Sequence, residues 1–161
     1  MSTYIPLASI TLASTSASIT FSGYDMTYTD LVIVCDAKAG GQANYELTFN
    51  SDTGANYSRT YMQGSGSTAL SGRTSSANFI RCDQGGNLET FFGTPLLVSV
   101  MNYSNTTTYK QSLCRSGGAT SGVGAVVGLW RNTAAITSLN IACSGTSFET
   151  GSTFTLYGIG A

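Results

Sequence analysis

Histidine is absent from this chain of 161 residues, and charge of either sign is scarce: seven Lys and Arg and eight Asp and Glu make up only 9% of it. Soluble domains usually carry about 25%. Without an imidazole the one side chain that titrates near neutrality unaided is missing, so Ser-His-Asp and Cys-His nucleophiles are excluded. The basic residues stand singly along the chain, leaving no cationic row to neutralise phosphates or an anionic lipid surface. No apolar run approaches the ~20 residues of a spanning helix, so neither a nucleic-acid nor a membrane partner is expected. The start, MSTYIPLASITLAS, lacks a basic n-region and alternates polar with apolar residues; it reads as a first strand and not as a signal peptide.

Polarity comes instead from 22 Ser, 23 Thr and 19 Gly, set among 42% hydrophobic residues. That hydrophobic content suffices for one folded domain over residues 1–161, with no linker and no break in composition. A surface of hydroxyls and amides has little self-repulsion and suits a protein docked against copies of itself or a partner. Two prolines and no sustained helical period leave apolar residues recurring at spacing two, in short runs cut by Gly, Ser, Asn and Asp. Ile19 and Phe21 alternate with hydroxyls, as do Tyr45, Leu47 and Phe49. Leu31–Cys35 (LVIVC) reads as a central strand covered on both faces, and Pro95 opens another run, LLVSVM. Further strands are expected at Asn56–Gln63, Ala77–Cys82, Thr107–Arg115, Val123–Arg131, Ile136–Ala142 and Thr153–Ile159. Gly64–Ser76 and Gly117–Gly122 are expected to be loops, and a helical turn is expected near Asn87–Phe92. About ten short strands point to an all-β fold, a single-domain antiparallel β-sandwich of jelly-roll type.

The four cysteines, Cys35, Cys82, Cys114 and Cys143, each end or sit inside a strand-like run. None is spaced as C-x-x-C, and zinc would need four distant thiolates. Small buried thiols are the preferred reading, with two disulfides as the alternative in an oxidising setting. No cofactor and no metal site is expected.

The stretch FNSDTGANYS, Phe49 to Ser58, packs an Asp, two Asn and a Gly between apolar strand-like runs. Calcium takes six to eight oxygens, usually several from carboxylates, and Asp52 is the only acid here. A turn accounts for the residues better: Asn50, Asp52 and Asn56 bond the backbone locally, and Gly54 is expected to supply the positive φ. A glycan-binding reading uses the same amides with Tyr57, Tyr61 or Trp130 as a stacking face. Any catalysis would fall to a pair among Asp25, Asp30, Asp36, Asp52, Asp83, Glu46, Glu89 and Glu149, none framed as a cleft. The Gly clusters GSGS and SGGATSG lack the Lys and following helix of a phosphate loop. No catalytic residue is therefore assigned.

Five pieces taken in order, ITF at Ile19–Phe21, YTDL at Tyr28–Leu31, FNSD at Phe49–Asp52, NYS at Asn56–Ser58 and FTLYGI at Phe154–Ile159, give the chain a likeness to a known group. It resembles small β-structured virion proteins of tailed phages, many from phages of cyanobacteria and other aquatic bacteria. The resemblance implies a non-enzymatic component of the particle, made in the bacterial host cytoplasm and carried in the virion. Strand pattern from Tyr4 to Ile159 leads to the expectation of a free-standing domain. Such a domain suits a capsid decoration (cement) protein bound to the major capsid protein shell, as a trimer or dimer. The alternatives are a tail, baseplate or fibre-associated subunit, and the receptor- or glycan-binding module.

Overall fold

The computed structural model describes residues 4–83 and 88–160. All regular structure in them is strand: β1 (Tyr4–Thr11), β2 (Ser18–Ser22), β3 (Asp30–Ala37), β4 (Tyr45–Phe49), β5 (Tyr57–Gly64), β6 (Ala69–Ala77), β7 (Ile80–Arg81), β8 (Thr94–Met101), β9 (Lys110–Gly118), β10 (Gly122–Trp130), β11 (Ser138–Cys143) and β12 (Thr153–Ile159). Every pairing is antiparallel. An eight-stranded sheet runs β1-β12-β3-β8-β9-β10-β5-β6, and a four-stranded sheet runs β2-β11-β4-β7.

Period-two alternation turns one face of each sheet inward, and register lines those residues into rows. Across the large sheet Leu156, Ile33, Val98, Cys114, Val126 and Tyr61 stand opposite one another. Across the small sheet Ile19, Ile141, Leu47 and Ile80 do the same, with Phe21, Leu139 and Phe49 as the next row. These rows form one continuous core. Gly128 belongs to the inner face at its tightest point: a Cβ there would come within 2.7 Å of Ile80 and Ser112.

The all-β antiparallel sandwich is therefore present, with twelve strands where about ten were expected. The strands divide unequally between the two sheets, eight and four. Three local expectations change. Within the expected loop Gly64–Ser76 the chain forms most of strand β6 (Ala69–Ala77), and residues 117–122 supply the end of β9 and the start of β10 around a short turn. LVIVC is covered on both faces only at its beginning, because Val34 is 40% exposed. Leu88–Phe92 contains no helix, and Asn87 lies outside the described residues.

Candidate functional site

The segment Asn50–Asn56 carries the chain from β4 in the small sheet to β5 in the large one. It is the turn expected from sequence, but its backbone solution differs. Asn50 (φ 51°) and Ser51 (φ 55°) take the left-handed positions, and the Asp52 amide donates to the Phe49 carbonyl at 2.9 Å, which is the type I′ arrangement. Gly54 has no positive φ; it is glycine because a Cβ would stand 2.9 Å from Asn56 Nδ2 and 3.1 Å from Asp52 Oδ1.

Asn50 ties this corner to the next loop. Its Nδ2 donates to the Ala135 carbonyl at 2.8 Å, and its Oδ1 accepts from the amides of Thr137 at 2.8 Å and Ser138 at 3.1 Å. Replacing Asn50 with alanine removes those bonds and forces a β-carbon residue without a polar handle into left-handed geometry. We expect a loss of about 2–3 kcal/mol in urea unfolding, with Asn50→Gly recovering the backbone part only.

Asp52 is the centre of the corner. Its carboxylate accepts from the Gly54 amide at 2.8 Å, from Asn56 Nδ2 at 2.9 Å and from Trp130 Nε1 at 2.7 Å. Partial burial alone would raise its pKa, but the bonds from Trp130, Gly54 and Asn56 outweigh that and hold it below the ordinary carboxylate range. All of its close partners are donors from the chain itself, so the group is used up in closing the corner. Trp130 (1% exposed) and Tyr57 (0%) are fully buried, stacked at 6.4 Å, with Phe49 against both. Tyr61 is half-buried under the Arg59 guanidinium, 5.1 Å from its ring. The aromatic trio considered for glycan stacking therefore belongs to the core and offers no open platform.

The four cysteines are free and buried. Burial pushes the Cys143 thiol up to about 12, helped by Asp83, Glu46 and Glu149, and raises Cys35 and Cys82 as well. Thiols held protonated in this way are poor nucleophiles and poor metal ligands. Among the described residues no group of three or more His, Cys, Asp or Glu side chains is placed to hold a metal ion. No helix among them is long and apolar enough to cross a membrane. Of the acids, only Asp83 is both buried and displaced toward neutrality. Burial pushes it up to about 7 against the opposing effects of the Tyr45 amide, Arg81 and Arg59. Among the described residues the charged groups acting on it are the guanidiniums of Arg81 and Arg59, not a second carboxylate.

What the fold leaves open is the outer face of the large sheet, since the small sheet covers only the inner one. Val34, Leu97, Arg115, Ala125 and Met62 stand in register across five strands; in the adjoining row Ser99, Leu113, Val127 and Thr60 face outward, while Val32 at its β3 end is buried. Val127 is 49% exposed and Met62 63%. Among the described residues, the charged side chains on the strands of this face are Asp30, Asp36, Arg73 and Arg115. Sequence reasoning missed the face because an outward Val or Leu in a strand looks the same as an inward one until register is known. At the β5–β6 end a groove of about 680 Å³ opens, lined mainly by apolar side chains that include Met62, Leu70 and Val123.

Comparison of the chain with protein-family models, with curated proteins and with solved structures finds no match.

Proposed function

We propose that the protein is a structural component of a phage virion, a capsid decoration protein that docks on the major capsid protein shell and stabilises it. The observation that carries this reading is the open outer face of the eight-stranded sheet, largely apolar and low in charge. Such a face gives adhesion through area and shape rather than through electrostatic steering. Many copies, each adding a modest interface as dimers or trimers matched to local symmetry, raise the stability of the shell as any ligand of a native state does. The likeness of its strand-and-turn pieces to tailed-phage virion proteins points the same way. A non-enzymatic role fits the absence of histidine and the occupied state of Asp52.

The pair Leu113 and Val127, opposite each other in register, allows a direct test. The double variant Leu113→Glu, Val127→Glu should fold, because both side chains point outward, and should lose co-sedimentation with shells stripped of the protein. Undiminished binding of this variant to shells would remove the outer face from the account.

A further inference from the structure

The two edges of the large sheet are unlike. β1 is interrupted by Pro6, which has no amide hydrogen to donate, and by a bulge between Pro6 and Ala8. β6 has neither device along Ala69–Thr74, where its pairing with β5 is regular; its bulge comes later, where Ser76 adopts φ 56°. No residue of β6 is buried, and its side chains there are small apart from Leu70 and Arg73. Among the described residues no strand pairs with its outer side, so β6 presents a straight run of unpaired N–H and C=O groups beside the apolar groove. Two guanidinium groups mark the same end. Arg73 is exposed on β6 itself, Arg115 is exposed on β9 and lines the groove, and no carboxylate among the described residues pairs with either.

We propose that β6 is a strand-addition site for an extended segment of a partner protein that carries a carboxylate opposite Arg73 and, on the same face, apolar side chains toward Met62 and Val123. The edge supplies main-chain hydrogen bonds, which set affinity without regard to sequence, and the groove and the arginine supply the selection. Charge decides between this occupant and a second copy of the chain. Antiparallel pairing of β6 with itself keeps both outer faces on one side. In registers centred on Gly72 or Arg73 the two Arg73 side chains then stand diagonal or directly opposite, with no acid between them. A partner strand with a glutamate or aspartate meets the same position with opposite charge. The inference stands on the edge and its charges alone, so it holds whether or not the partner belongs to a virion.

A short labelled peptide of alternating valine and threonine with a central glutamate is the probe, titrated against the intact protein by fluorescence anisotropy. Saturable binding is expected, with slowed amide exchange over residues 69–74. Arg73→Glu should weaken it roughly tenfold, and a lysine in place of the peptide's glutamate should restore binding to that variant. A fully N-methylated peptide, which keeps its side chains but has no ladder donors, should not bind. Absence of binding by the parent peptide, equal binding by the N-methylated one, or indifference to the charge swap would each overturn the proposal. So would a dimer of the free protein in sedimentation whose formation protects residues 69–74, since the occupant would then be a second copy.

Discussion

Trp130→Ala should destabilise the protein by about 3–5 kcal/mol, the range for removing a large buried aromatic from a packed core. The side chain stands 5.6 Å from Phe49 and is stacked on Tyr57, so its loss opens a cavity where the two sheets meet. It also strips Asp52 of its 2.7 Å donor. Trp130→Phe fills most of the volume and should cost less, leaving the missing indole N–H as the main deficit, about 1–3 kcal/mol. A double-mutant cycle between Trp130→Phe and Asp52→Asn isolates that bond, and the coupling should be positive and smaller than the cost of Trp130→Ala. Chemical denaturation of the four proteins at pH 7 gives all the terms. Loss of any binding activity in Trp130→Ala would report this instability and not a ligand contact.

The second large effect concerns Asp83 and runs against the usual pattern for carboxylates. The side chain is fully buried, its Oδ1 accepts the Tyr45 amide at 3.1 Å, and its Oδ2 has no partner. With its pKa pushed up to about 7 from an ordinary 3.8, the folded state holds this proton more tightly than the unfolded state does. Stability should therefore be highest below about pH 4 as far as this group is concerned, and should fall as pH rises to about 7. The size is on the order of 4 kcal/mol. Asp83→Asn removes the ionisation. It should flatten the pH dependence between 4 and 8 and raise the midpoint of thermal unfolding at pH 8 while changing it little at pH 4. Asp52 acts in the opposite sense: with its pKa lowered, its contribution is complete above the ordinary carboxylate value and disappears as pH falls through the lowered one. The two groups can be separated because their windows lie on opposite sides of pH 4. A stability of the wild-type protein that rises from pH 4 to pH 8 would contradict the assignment for Asp83.

How much of this could be read from sequence depends on what each residue faces. β12 matches the expected Thr153–Ile159 to the residue, and β5, β10 and β11 were placed within two residues, because each buries one face and so alternates. β6 was invisible for the same reason inverted: with neither face buried, nothing selects apolar residues at spacing two, and ALSGRTSSA has the composition of a loop. What the sequence does not reveal is why Gly128 sits in the middle of β10: Ile80 and Ser112 leave no room for a side chain. The corner at Asn50–Asn56 was recognisable as a turn from its amides. Its partner Trp130 was not, since the bond that joins them spans 78 positions in sequence. Register is likewise a long-range property, and it alone separates the outward Val34 and Val127 from the inward Ile33 and Val126.

The central claim is that this domain works by covering a shell with its open sheet face, and counting copies in place tests it most directly. Imaging of the intact virion at a resolution that resolves strands should find the protein on the capsid lattice, repeated with the shell's local symmetry, with Leu113 and Val127 toward the major capsid protein. A dozen copies or fewer, confined to the tail or its baseplate, would contradict it.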